Sequence, residues 1–233
     1  MINTDHYRGK KITVVGLARS GSSCANLLYE LGAQVYVTDN KDNDNTRLFA
    51  GKLKSKEIKY ELGLHSQEFI RERDLEVISP GVPDDASPII WAEQFKIPVV
   101  SEIEVASSLC PAKIIAVTGS NGKTTVTTLI EKILKTLGKG ESFACGNIGN
   151  PFSAVVHKIK KDDFVSLEVS SFQLERIADF KPKVSLILNF SPNHLDRYKN
   201  IQDYLSAKKR IFMNQDKNDY LVLNYNDPTL KEL

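Results

Sequence analysis

What most constrains this chain is a rhythm of short apolar runs, each ending in a glycine or polar turn and followed by an amphipathic stretch. "KITVVG" reads as a buried strand, "SCANLLYELG" as a helix ended by Gly32, and "QVYVTD" as a second strand. "EVISPG" is a further strand stopped by Pro80, "SPIIWAEQF" a helix and "IPVV" a strand. Such β-α-β alternation predicts a parallel sheet with helices packed on its faces. The rhythm restarts at "KIIAVTG". A helix follows over Thr124–Leu137, with Val126, Leu129, Ile130, Ile133, Leu134 and Leu137 on one side. "FVSLEVS" and "KVSLILNF" are strands, "NIQDYLSAKKRIF" is a helix, "DYLVLN" is a strand and "DPTLKEL" opens another element. Two doubly wound α/β domains are expected, 1–101 and 102–233, divided near Ser101 before "EIEVASSL", with the second unfinished.

Composition removes several function classes. The 233 residues suit two domains, and 41% hydrophobic residues can fill two cores. A formal net charge of +2 predicts neither nucleic-acid nor membrane binding. Lys158, Lys160 and Lys161 are followed at once by Asp162 and Asp163, which reads as a solvated face. Three widely spaced cysteines, Cys24, Cys110 and Cys145, lack metal-ligand spacing and point to a reducing compartment without disulfides or structural zinc. No apolar run has the length of a signal peptide or of a membrane span, so a cytoplasmic protein is expected.

Two strand-to-helix loops carry candidate chemistry. "IIAVTGSNGKTTVTT" resembles a phosphate loop but departs from G-x-x-x-x-G-K-[ST]. The position five before Gly122 is Val117, and the glycine present is Gly119, three before it. The context is still that of a phosphate cradle. Two glycines permit a tight backbone, Lys123 can reach β- and γ-phosphates, and Thr124 offers a hydroxyl to Mg²⁺. Glu168 closes the apolar run "VSLE", where an isolated acid is costly unless paired or metal-bound. His194 and Asp196 in "SPNHLDRY" fall at the same sheet edge, as ligands or as surface residues. In the first unit, Gly16, Ala18 and Gly21 take the spacing of G-x-G-x-x-G with alanine in the middle, and Asp39 ends the second strand where an acid meets a ribose. The helix start at Ser20–Gly21 suits an anion, but a turn with only a packing role is equally open. "SPGVP", beginning at Ser79, is a third strand-end loop or simply a turn.

Together "TGSNGKTT", Glu168 and "NHLD" resemble the Mur ligases and their folylpolyglutamate synthetase relatives, and the likeness covers nearly the whole chain, including "GLARSG", "SPGVP" and "SEIE". "EVSSFQLE", "NHLDRY" and "CGNIGNP" are similar to the branch that joins D-glutamate to UDP-N-acetylmuramoyl-L-alanine (UDP-MurNAc-L-Ala) in peptidoglycan precursor synthesis. On this resemblance the short glycine spacing is the family's own phosphate loop. The implied fold is a Rossmann-like uridine-nucleotide domain followed by a P-loop-type α/β ATP-binding domain, here incomplete, with a third, C-terminal domain absent. The chain alone is then expected to lack ligase activity, to keep affinity for the uridine nucleotide and to be a monomer.

The implied reaction is carboxylate activation by ATP to an acyl phosphate, then attack by the amine of D-glutamate. Gly119, Asn121, Gly122, Lys123, Thr124 and Thr125 match the ATP loop. Thr124 and Glu168 match the holders of a first Mg²⁺, and His194 with a carbamylated Lys208 those of a second. Lys123, His194 and Lys208 are the catalytic set, and Lys209 is assigned to a solvated face. Asn147, Ser170 and Gln173 match positions near the nucleotide-sugar substrate, and Ser20, Asp39 and Ser79 its uridine-diphosphate end. Ala18 stands where many relatives have glycine and Asn40 where some have threonine, and both bear on how the uridine diphosphate is held. Three rival readings are a sibling Mur or folylpolyglutamate-type ligase with another acceptor amino acid, a nicotinamide oxidoreductase using "GLARSG", and a non-catalytic nucleotide-binding module. The second leaves "TGSNGKTT" without a role.

Overall fold

The structure, a computed structural model, describes residues 4–191, 197, 198 and 200–233. The chain forms two compact α/β units, Met1–Leu109 and Cys110–Leu233. In the first, the chain runs β1 (Lys11–Val15), α1 (Arg19–Glu30), β2 (Gln34–Asp39), α2 (Asp44–Ala50), β3 (Lys59–Leu62), β4 (Leu75–Ile78), α3 (Ser87–Gln94), β5 (Val99–Ser101) and α4 (Glu102–Ser108). The strands pair in parallel in the order β3-β2-β1-β4-β5. Helix α4 packs on α1, β4 and β5. The division between the units therefore falls after it, eight residues beyond the expected Ser101.

The first strand is central, so the chain winds outward on one side and then returns to the other. The crossovers diverge between β1 and β4, and a crevice opens there at the carboxyl ends of the strands. Near-continuous apolar strands are what burial on both faces demands. Ile12, Val14, Val15, Val35, Val37 and Val77 are accordingly buried, as are Leu28 of α1 and Ile103 of α4, and Ile89 of α3 packs with Val15 and Ile78.

The second unit runs β6 (Lys113–Thr118), α5 (Lys123–Thr136), β7 (Ser142–Gly146), α6 (Phe152–Val155), β8 (Phe164–Glu168), α7 (Ser171–Glu175), β9 (Val184–Ile187), α8 (Ile201–Lys209), β10 (Tyr220–Leu223) and α9 (Pro228–Lys231). Its parallel order is β10-β9-β6-β8-β7. After α5 the chain passes to the outer position as β7 and returns as β8 beside β6. That return sets Glu168 in register with Val117, two residues before the phosphate loop.

Two expectations are corrected here. Helix α5 does not bury all of its apolar side: Leu129, Ile133 and Leu137 are 53%, 52% and 54% exposed, while the polar Thr127 is buried. The face on the sheet is set by Thr127, whose carbonyl accepts from Ser166 Oγ on β8 at 2.8 Å. That turns the i, i+4, i+8 stripe away. The rhythm also left out β3, β7, α2, α6 and α7. No helix among the described residues is long and apolar enough to cross a membrane.

Candidate functional site

The loop Gly119–Gly122 joins β6 to α5 at the carboxyl edge of the second sheet. Gly122 is the N-cap of α5 with φ +79°, and Gly119 has φ +151°, both conformations that side-chain-bearing residues rarely adopt. The first-turn N–H groups of α5 have no partner within the helix and sit at its positive end. Lys123 Nζ curls back and donates to Gly119 O and Ser120 O, both at 3.0 Å. The ammonium thus lies over the loop.

Glu168 is 2% exposed and is held from two sides. Thr124 Oγ1 donates to its Oε2 at 2.7 Å, and Asn147 Nδ2 donates to its Oε1 at 3.0 Å. Strand pairing brings these groups together, because β8 lies between β6 and β7 and all three carboxyl ends meet here. A carboxylate and a hydroxyl in contact beside a phosphate loop form an all-oxygen set of the kind that suits Mg²⁺.

Lys208 reaches the same loop from α8. It is 2% exposed, its Nζ donates to Gly119 O at 3.0 Å, and the ammonium stands 4.5 Å from the centre of the Tyr204 ring. Burial, and then the nearby charge of Lys123, bring its pKa down to about 7. The neighbouring Lys209 is exposed, and Arg210 donates to Leu174 O at 2.8 Å and Ile177 O at 2.7 Å. Three adjacent cationic residues thus take three different positions, and only Lys208 enters the loop.

Ser170 and Gln173 form a capping box at the start of α7. Ser170 N donates to Gln173 Oε1 at 3.1 Å, and Gln173 N donates to Ser170 Oγ at 3.3 Å. The S-x-x-Q spacing predicts this local role, in addition to the substrate contact that the resemblance implied. Thr125 is exposed in the first turn of α5, and Asn121 is exposed in the loop. His194 and Asp196 lie outside the described residues.

In the first unit the loop after β1 is fixed by its neighbours. Leu17 N donates to Asp39 Oδ2 at 2.6 Å and Lys41 N to Asp39 Oδ1 at 2.8 Å. Ser79 Oγ donates to Gly16 O at 3.0 Å across the crevice. Asp39 and Ser79 therefore shape the loop, whatever ligand it takes, and Ser20 stands half-buried in the first turn of α1. Gly21 must be glycine, since a Cβ there would lie 1.8 Å from Gly16 O.

Motif reasoning missed Asn189, Ser191 and Asp227, all placed around the phosphate loop and the end of β9. Asn189 carried a signal of the kind that exposed Glu168: a polar residue closing the apolar run "VSLIL" at the same sheet edge.

Residues 117–233 match the Mur ligase middle domain, and residues 10–101 match the MurD-like N-terminal domain of Mur ligases. The chain belongs to the Mur ligase family. Among the curated relatives of this Mur ligase chain is a UDP-N-acetylmuramoylalanine–D-glutamate ligase of Geotalea daltonii, 47% identical over 221 residues, which are 95% of this chain and 49% of that protein. The Chloroherpeton thalassium protein of the same name is 43% identical over 98% of this chain and 49% of its own length. The chain spans about half the length of the curated relatives it matches. Solved Mur ligases share its fold. UDP-N-acetylmuramate:L-alanyl-gamma-D-glutamyl-meso-diaminopimelate ligase from Neisseria meningitides covers 96% of this chain and 74% of its own at TM-score 0.64 and 16% identity. UDP-N-acetylmuramate-alanine ligase MurC from Thermotoga maritima covers 94% of this chain and 50% of its own at TM-score 0.56 and 24% identity.

Proposed function

We propose that this chain carries the uridine-nucleotide and ATP sites of a ligase that joins D-glutamate to UDP-MurNAc-L-Ala in peptidoglycan precursor synthesis. The observation that carries the ATP site is the Glu168 carboxylate, held between Thr124 Oγ1 and Asn147 Nδ2 beside the Lys123 loop. The names of the curated relatives support the choice of substrates.

The chemistry brings two anions together. A substrate carboxylate attacks the γ-phosphorus of ATP and ADP leaves, giving an acyl phosphate. The amine of D-glutamate then attacks that carbonyl, and phosphate departs as the amine loses its proton. Lys123 supplies fixed positive charge where the phosphate charge builds up, and the first-turn amides of α5 orient the phosphate oxygens. Thr124 and Glu168 are the residues that would hold Mg²⁺, which offsets phosphate charge when bound. Lys208 reacts with CO₂ as a neutral amine, forming an N–C bond and releasing a proton, and so becomes an anionic oxygen donor. Its burial beside Lys123 supports that assignment, since a pKa near 7 leaves much of it neutral. His194 is proposed as the partner of this carbamate at a second Mg²⁺. Asn147, Ser170 and Gln173 are assigned to the nucleotide sugar, and Ser20, Asp39 and Ser79 to its diphosphate end. This reading places the reaction in the cytoplasm, where ATP and uridine nucleotides are at hand.

The test is calorimetric titration of the chain with UDP-MurNAc-L-Ala, Mg-ATP and NAD⁺ in separate experiments. Binding of the first two without the third is expected. Affinity for NAD⁺ alone overturns the proposal in favour of an oxidoreductase. Phosphate release by the full-length protein across a panel of amino acids then reads the acceptor, and turnover with an acceptor other than D-glutamate assigns it to a sibling ligase.

A further inference from the structure

The phosphate loop is gripped from one side by the segment that leaves β9. Leu188 N donates to Thr118 O at 3.0 Å, and Ser120 N donates to Asn189 O at 3.1 Å. The Asn189 side chain then takes both backbone groups of one loop residue: Asn121 N donates to its Oδ1 at 2.9 Å, and its Nδ2 donates to Asn121 O at 3.1 Å. The Ser120 hydroxyl accepts from Ser191 N and donates to Ser191 O, each at 2.9 Å. Phe190 N donates to Asp227 Oδ2 at 2.6 Å, and Asp227 Oδ1 accepts from Thr229 N and Leu230 N of α9. The gripping segment is itself anchored at both ends.

This arrangement divides the labour of the loop. The N–H groups of Ser120 and Asn121 are committed to Asn189, so anion binding falls to the first turn of α5 and to Lys123. The N–H and C=O of Asn121 belong to the two peptide groups on either side of its Cα, so one side chain pins both planes and neither can flip without breaking a bond to Asn189. A freed Asn121 could turn its carbonyl oxygen toward the phosphates and repel them. We infer that Asn189 is a positioning residue for nucleotide phosphates: its amide locks Asn121 and thereby aims the α5 amides and Lys123. The inference rests on the ATP-site reading of the same loop.

The test is titration of the chain and its Asn189→Ala variant with Mg-ATP, Mg-ADP and AMP, alongside Lys123→Ala and thermal unfolding. Asn189→Ser, shorter and still polar, replaces the alanine variant should that fail to fold. Affinity for ATP and ADP is expected to fall about tenfold, about 1.4 kcal/mol, with AMP and UDP-MurNAc-L-Ala held within about twofold. A loss that discriminates by phosphate number is one that general loosening of the fold does not produce. Unchanged ATP affinity in Asn189→Ala, or an equal loss for ATP and AMP, overturns the inference. If Lys123→Ala also leaves ATP affinity unchanged, the phosphate-loop reading itself fails. A loss in Lys123→Ala alone removes only the role of Asn189.

Discussion

Glu168 and Lys208 are buried ionisable groups at one loop, and each makes a separate prediction. Glu168→Gln keeps the shape and an acceptor for Thr124 but removes the charge a divalent cation needs. The Mg²⁺-dependent part of ATP affinity should drop at least about tenfold while stability changes by less than about 1 kcal/mol, since an uncharged hydrogen-bonded isostere is tolerated where the acid was. Titration with and without Mg²⁺, beside a urea melt, checks both. For Lys208 the sign follows from the direction of the shift. An ordinary lysine titrates near 10.4 and is neutral in well under about 0.1% of molecules at pH 7. A pKa of about 7 leaves a large share neutral. CO₂ adduct formation should therefore rise as pH increases through about 7, and fall away below it. A ¹³C carbamate resonance that tracks pH in this way, and is lost in Lys208→Ala, is the expected result. A signal that persists in Lys208→Ala, or follows Lys209, shows that the modified amine is another one.

At the scale of elements, the packing of α1 and α5 separates what the sequence could convey from what it could not. Gly21 lies in the first turn of α1, against the carbonyl of Gly16. Gly21→Ala should cost about 3 kcal/mol or more, because the clash is with backbone and no rotamer relieves it. On α5, Ile133→Lys should change the stability of this chain by less than about 0.5 kcal/mol, as an exposed position allows. Chemical denaturation of the two variants gives both values. The long apolar strands were legible because burial on both faces leaves a composition that little else produces. β3, "KYEL", is short and half charged, and β7, "SFACG", is short and mixed, so neither shows a period. The stripe on α5 is legible as amphipathic but not as to which face meets the sheet, because Thr127 and Ser166 settle that by a hydrogen bond between elements. The same limit applies at the site. Lys123 and Glu168 stand out along the chain, whereas the grip of Asn189 on Asn121 exists only once β9 lies beside β6.

Across the whole molecule, the two units have separate cores, so unfolding should not follow a single two-state transition. Calorimetry of the chain should resolve two steps. Gly21→Ala should lower only the step belonging to Met1–Leu109, and Mg-ATP should raise only the other. At about 100 times Kd the ligand adds about 2.7 kcal/mol to the state it binds. A single step, moved by both changes together, would mean that the units unfold as one. The placement of β1 and β6 also has a consequence in time. Each is the first strand of its unit to be synthesised and the one that ends up in the middle of the sheet. For β6 the flanking strands β8 and β9 emerge roughly 50 and 70 residues later, which at about 5–20 residues per second is a wait on the order of 3 to 14 seconds. Until β8 emerges, "KIIAVT" has both hydrogen-bonding edges without a strand partner, and until β9 emerges it still lacks one, so the vulnerable period of this protein is set by the pace of translation rather than by the strength of its finished core.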